Sequence, residues 1–308
     1  MKKIAVVGKV NIDTFIHVEK LEYGRNHLSK RVYTDVGGKG ANTAAALAKL
    51  GFEPVLLASV GSDSSGKSAL KRLEKLGVDT SLVNFSSSHT GRTFVVVDNQ
   101  GQNTMFHALG ANKDLLAENV NWIFLENSSI VFVQFGIPIE TAREVVVMAK
   151  RNGKTVFVDP GGLESEVPFD ILPFIDIIAP NESELFALSG KDTAEKGAKS
   201  LVSRGIETVL VKQDKKGASL YTAKSSFHFN AYDVNVVDTT GAGDAFNGAF
   251  IAAMILKMDP YDALKLAVAS ASLAVQKKGT SSSSPVREEL MGFLKERGED
   301  ALLKSLIM

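Results

Sequence analysis

Short apolar runs rich in valine and isoleucine recur along the chain: IAVVG (4–8), PVLLASVG (54–61), SIVFVQFG (129–136), TVFVDPG (155–161), DIIAPN (176–181) and TVLVKQ (208–213). Each is too short for a helix and ends at glycine, proline or a polar residue, so each predicts a buried strand. Between most of them lie stretches with helical spacing, ANTAAALAKLG, KSALKRLEKLG and IETAREVVVMAKRNG, each closing on a glycine suited to a helix C-terminus. Strand and helix alternate. The alternation predicts an α/β fold, a mostly parallel central sheet with helices on both faces, whose ligands gather beyond the carboxyl ends of the strands.

Two segments break the rhythm. Residues 14–36 and 90–107 alternate apolar and polar positions, the second with a turn at Asn99 to Gln102, and both predict strands of a small second sheet. Such a sheet suits a lid or a dimer surface; an edge extension of the main sheet fits the same pattern. The run after Asp244, AFNGAFIAAMIL, is apolar nearly all round and predicts a buried helix. Residues 258–276 read as a packing helix, Ser281 to Ser284 as a loop, and EDALLKSLIM as a short amphipathic end.

Composition narrows the functions. A chain of 308 residues can bury a large core. Its 35 Lys and Arg balance 35 Asp and Glu, so the basic footprint of a nucleic-acid binder is missing. Zero cysteines exclude disulfides, thiol catalysis and thiolate metal sites. The apolar run in MKKIAVVGKVNID is too short for a signal peptide, and no uncharged apolar stretch approaches the roughly 20 residues of a membrane span. A cytoplasmic protein without membrane or nucleic-acid partners is expected.

The candidate chemistry centres on VDTTGAGDAFNGAF, 237–250. A buried helix must satisfy the free amides of its first turn, and Gly241, Ala242 and Gly243 let an anion's oxygens approach them, with the helix dipole adding positive potential. A phosphate is the expected anion. Asp244 beside it would be repelled, which points to a base accepting the proton of a hydroxyl that attacks phosphorus. A purely structural reading makes Asp244 the helix N-cap, worth about 0.5–2 kcal/mol. A second glycine-rich turn, VGGKGANTAAALAKLG (36–51), and the polar NIDT (11–14) after the first strand add candidate ligand groups. The latter also reads as a turn.

A rival motif exists. GSDSSGKS, Gly61 to Ser68, matches G-x-x-x-x-G-K-[ST], and Asp159 at the end of TVFVDP could serve a magnesium ion. That reading leaves both GGKGAN and DTTGAGD without roles.

The signatures VGGKGANTA and VDTTGAGDAFNGAF, in this order and separation, resemble those of the ribokinase-like carbohydrate kinases. The likeness extends through VGSDSSGKSALKRLEKLGVDT, APNESEL and VLVKQDKKGA and covers nearly the whole chain. It implies one ribokinase-like, Rossmann-like kinase domain over 1–308 with a small β lid, phosphorylating a sugar or sugar-like substrate from ATP. In residue terms it implies Asp244 as base with Gly241, Ala242 and Gly243 as anion hole. Asn11, Asp13, Gly38, Lys39 and Asn42 would hold the substrate. Asn181 and Glu184 would act near Mg2+ and the triphosphate, Lys212, Asp214 and Gly217 would lie along the nucleotide, and its base would reach toward Val268. A K+ site would involve Asp238, Thr240, Ala274, Lys277, Gly279 and Ser283. Lys67 becomes a helix-surface residue, and the lid strands offer a homodimer contact. Where ribokinase carries a ribose-binding glutamate this chain has Gly136, so a ketohexose, a cyclitol or a nucleoside also enters as substrate. A nucleoside kinase, a P-loop kinase and a non-catalytic sugar or nucleotide sensor are the alternative functions.

Overall fold

The computed structural model describes residues 3–162 and 168–307. The strands are β1 (Lys3–Val7), β2 (Asn11–His17), β3 (Arg31–Gly37), β4 (Pro54–Leu57), β5 (Ser59–Gly61), β6 (Asn84–Ser86), β7 (Gly91–Val97), β8 (Asn103–Ala108), β9 (Ser128–Gln134), β10 (Thr155–Asp159), β11 (Ile177–Ile178), β12 (Thr208–Lys212), β13 (Ala218–Tyr221) and β14 (Ser226–Phe229). The helices are α1 (Lys39–Lys49), α2 (Ser64–Lys75), α3 (Phe124–Asn127), α4 (Ile139–Arg151), α5 (Glu182–Ser189), α6 (Ala194–Ser203), α7 (Ala242–Ile255), α8 (Pro260–Ala274), α9 (Arg287–Glu296) and α10 (Asp300–Ile307).

Eight strands form the main sheet in the order β14-β13-β12-β11-β10-β9-β1-β4. Pairing is parallel from β12 to β4 and antiparallel only at the β12-β13-β14 edge. Successive residues of the parallel strands face opposite ways, which explains the unbroken apolar runs: Ile4 and Val6 of β1 enter one core, Ala5 and Val7 the other. The first core holds the buried sides of α1, α7, α8 and α9, and the second those of α4 and α6. Helix α7 is buried on nearly every side, as its composition predicts.

Three strand predictions need correction. The run 54–61 splits, because β4 joins the main sheet while β5 turns away to pair with β6. Only Ile177 and Ile178 of 176–181 are strand. Asn11 and Asp13 lie within β2, inside a second sheet, not in a turn after β1. That sheet has the order β3-β2-β7-β8. Its pleat puts Asn11, Asp13, Asp35 and Thr93 on one face and Ile16, Val32, Phe94 and Phe106 on the other. Among the described residues no helix is long and apolar enough to cross a membrane.

Candidate active site

Helix α7 begins at Gly241, whose φ of 81° is the left-handed conformation that glycine adopts without strain. Gly241, Ala242 and Gly243 are partly exposed, and the first fully buried residue behind them is Asp244, 4 % exposed. Asp244 is therefore not the N-cap. Its side chain points across to α1, where Oδ2 accepts from Asn42 Nδ2 at 2.8 Å. Oδ1 accepts no hydrogen bond from a described residue and has only the Lys39 ammonium, at 3.6 Å. Burial is the first cause that raises the Asp244 pKa above the ordinary carboxylate value; Lys39 opposes it and Asp159 adds to it.

Lys39 bridges two acids, since its Nζ also stands 3.6 Å from Asp159 Oδ1. Burial works against the Lys39 charge, but Asp159, Asp244 and Glu184 outweigh it and hold the ammonium above its usual pKa. Asp159, at the end of β10, is fully buried. It accepts from Lys212 Nζ (2.8 Å), Asn247 Nδ2 (2.6 Å) and the Gly161 amide (2.8 Å). Burial alone would raise its pKa; Lys212 and Lys39 more than reverse this and keep it well below the carboxylate range. Lys212 in turn runs past the start of α7, with Nζ 3.6 Å from where a Cβ on Gly243 would stand. Two ammonium groups, Lys39 beside Asp244 and Lys212 beside Gly243, thus stand at the start of α7, anchored by one buried acid, and the Ala242 amide there donates to the Thr239 carbonyl at 3.3 Å.

On the acceptor side, Asn11 is locked by Thr93, which receives its Nδ2 at 3.1 Å, and by Asn112, which donates to its Oδ1 at 2.8 Å. Asp13 is buried, its Oδ1 accepts no hydrogen bond from a described residue, and burial lifts its pKa to about 7, with Asp35 and Asp244 adding repulsion. Gly37 must lack a side chain, because a Cβ there would collide with the Asp13 carboxylate. On the other side Asn181 and Glu184 form the capping box of α5: Asn181 Oδ1 accepts the Glu184 amide at 2.8 Å and Glu184 Oε2 accepts the Asn181 amide at 2.8 Å. Glu184 Oε1 stays outside that box, beside Gly161. The Asn181 backbone runs parallel to that of Lys212, whose amide donates to the Pro180 carbonyl at 2.9 Å, and the turn Asp214–Lys216 leads to Gly217, whose φ is 96°.

The profile of the pfkB family of carbohydrate kinases matches residues 1–287. The chain belongs to this family. A ribokinase of Staphylococcus aureus is 34 % identical over 299 residues, covering 94 % of this chain and 98 % of its own. The crystal structure of a Thermotoga maritima ribokinase is 36 % identical with a TM-score of 0.88, covering 96 % of this chain and 100 % of its own. The structure of Arabidopsis thaliana ribokinase complexed with ribose and ATP is 33 % identical, also with a TM-score of 0.88, covering 96 % and 99 %. The chain is an ATP-dependent sugar kinase of the pfkB family, a phosphotransferase with an alcohol group as acceptor.

Within this pfkB chain the structure brings Asp244, Lys39, Asn42 and Lys212 together around the first turn of α7. Asp238 joins Thr240 (N to Oδ1, 2.9 Å) to Gly279 (N to Oδ2, 3.2 Å), and the Lys277 amide reaches the Ala274 carbonyl at 3.1 Å. Ser283 donates to the Thr280 carbonyl at 2.8 Å. Val268 lies apart from the polar groups, in the first core on α8. Sequence reasoning missed Asn112, Thr93 and Asn247 and gave Asp159 only a part in the rival motif; each is a single polar residue whose partner is far along the chain. That rival fails on its own geometry. Asp63 caps α2, taking the Gly66 amide at 2.8 Å and the Thr90 amide at 3.0 Å, and Lys67 is exposed. A carboxylate fills the place a P-loop would keep for phosphate.

Proposed function

We propose that Asp244 is the base that activates the acceptor hydroxyl, with the amides of Gly241, Ala242 and Gly243 receiving the transferring phosphoryl group. The observation that carries this is the asymmetry of the Asp244 carboxylate: Asn42 fixes one oxygen, while the other accepts no hydrogen bond from a described residue beside a partly exposed helix start. The acceptor oxygen attacks the γ-phosphorus, its proton passes to Asp244 Oδ1, the bond to the β-phosphate oxygen breaks, and ADP leaves. Lys39 and Lys212 offset the charge that spreads over the phosphoryl oxygens. Because Lys39 contacts Asp244 as well, it also opposes the rise that burial imposes on the carboxylate pKa.

Asn11, Asp13, Gly38, Lys39 and Asn42 would hold the acceptor, and Lys212, Asp214 and Gly217 the nucleotide. Among the described residues no group of three or more acidic or histidine side chains could hold a metal. Mg2+ would therefore meet the protein mainly through phosphate oxygens and water, near Asn181 and the uncapped Glu184 Oε1, as its reluctance to lose water favours. When bound it neutralises triphosphate charge. A K+ ion would draw on carbonyl groups of Asp238, Thr240, Ala274, Lys277, Gly279 and Ser283, a segment whose hydrogen bonds already gather it beside the first turn of α7.

The second sheet would act as a lid over the acceptor, with a second copy of the chain against its apolar outer face, in one kinase domain over 1–308. An enzyme drawing on ATP for small sugars belongs in the cytoplasm. The acceptor range follows from the wall at Gly136, where a Cβ would meet Gln134 Nε2 and, at 2.6 Å, Lys9 Nζ. D-ribose heads the panel, followed by 2-deoxyribose, ketohexoses, cyclitols and nucleosides. ADP release with ATP and Mg2+ across this panel tests the proposal. Turnover of one acceptor that is lost in Asp244→Asn supports it; silence across the panel favours a sensor instead.

A further inference from the structure

Asp13 has a second acid directly opposite it. Asp35 of β3 pairs with Asp13 of β2 in the sheet register, so both carboxylates project from the same face. Like charges opposed across a sheet destabilise it unless one is compensated. Asp35 is compensated by Arg72 of α2, 3.4 Å from its Oδ1, and by donors from the far end of the sequence. Its Oδ2 accepts from the Thr280 amide (2.9 Å), Thr280 Oγ1 (3.3 Å), the Ser282 amide (3.2 Å) and Ser282 Oγ (2.6 Å). The Val36 carbonyl adds bonds from Thr280 Oγ1 (2.7 Å) and the Ser281 amide (3.2 Å). The end of the lid strand is thereby stitched to residues 280–282.

The other side of this segment meets the start of α7. The Thr280 carbonyl lies 2.9 Å from where a Cβ on Gly241 would stand, and Ser283 Oγ lies 3.2 Å from the same point. Asp238, just ahead of that turn, holds the Gly279 amide. Lys49, the last residue of α1, donates to the Ser282 and Ser284 carbonyls at 2.8 Å each. Segment 279–284 is thus gripped by Asp35 and Lys49 from the acceptor side and by Asp238 from the phosphoryl side.

We propose that Asp35 is a positioning residue for phosphoryl transfer: through residues 279–283 it makes the lid strand and the Gly241–Gly243 turn move as one body. This rests on the kinase reading of that turn. Bonds to a carboxylate are the stronger kind, and an asparagine has one oxygen for two sets of donors: its N–H groups must face either the amides of Thr280 and Ser282 or the Val36 amide and the Arg72 guanidinium. The segment then loosens and Gly241 loses its support. Gly37, Gly38 and Lys39 follow Asp35 in the chain, so an acceptor that orders β3 also orders the phosphoryl site.

Amide hydrogen exchange on the ligand-free full chain tests this without needing an acceptor. In Asp35→Asn, exchange should quicken about tenfold in 279–284 and in 239–243 together while β9 and β10 stay as in wild type. Ser282→Ala should do the same more weakly and serves if the first variant does not fold. Quickening confined to 279–284 in both variants would overturn the inference. With the acceptor that the panel identifies, Asp35→Asn should lower kcat about tenfold and leave the KM for ATP within about twofold; a changed KM with unchanged kcat also overturns it. The two readings fail separately. Joint quickening beside an active Asp244→Asn enzyme removes the base assignment alone, and unlinked exchange beside an inactive one removes only the role of Asp35.

Discussion

Asp13 and Asp244 are both buried carboxylates whose pKa values rise chiefly because burial disfavours the charged form, yet they answer pH through different steps. Asp244 must be ionised to take a proton, so kcat should fall on acidification with an apparent pKa above that of an ordinary aspartate, measured from kcat against pH. Asp244→Asn keeps an oxygen for Asn42 but cannot act as base; its kcat should drop by about 10² to 10⁴-fold with folding intact. A near-normal rate would remove the assignment. Asp13 has a folded pKa of about 7 against 3.8 when free. The folded state therefore holds a proton that the unfolded chain has released, and stability contributed below pH 4 is lost as pH rises through about 7. Asp13→Asn does not ionise. Its Tm relative to wild type should be higher at pH 8 than at pH 5, and a difference independent of pH would show that Asp13 is not desolvated as described. The residue types of this site were legible in GGKGAN and GAGD, because glycine turns ahead of buried helices leave few other uses. Asn112 and Asn247 were not, since a lone asparagine carries no sign of a partner 101 or 88 residues away.

At the scale of elements, the start of α2 decides between the two phosphate motifs. The Asp63 side chain takes its Gly66 amide, Thr90 donates to the same carboxylate at 2.6 Å, and these bonds hold its pKa down to about 2, against the opposing effect of burial. Lys67→Ala should leave kcat/KM within about twofold, whereas an enzyme using that lysine on phosphate would be crippled; steady-state kinetics on ATP decides it. The elements themselves followed from pattern where a core imposed it. Helices α1, α2 and α4 begin and end close to where their periodicity and closing glycines put them. The split between β4 and β5 left no trace because both halves are equally buried. Ser281 to Ser284 form the loop that their composition predicts, yet Ser281, Ser283 and Ser284 are buried and Ser282 binds a buried carboxylate, which composition does not show.

For the molecule as a whole, the main sheet carries the two cores and the second sheet an apolar outer face. Val32 and Phe106 on that face are 55 % and 60 % exposed. A second copy laid against this face would bury them, and apolar surface of this kind drives association. Phe106→Glu should shift the chain toward monomer in sedimentation velocity with Tm unchanged. A wild-type chain already monomeric at working concentration would dismiss the contact. The parallel architecture was legible from alternation alone, whereas the antiparallel edge of β13 and β14 was not: its strands are four residues each, and β14 is only half covered.

Gly37 and Gly136 set unequal terms for anyone who reshapes this enzyme. A methyl group at 37 displaces the Asp13 carboxylate itself, whereas one at 136 meets Lys9 and the buried Gln134 amide, which already donates to the Gly161 carbonyl. Mutational libraries aimed at new acceptors should therefore hold 37 constant and vary 136 together with Lys9.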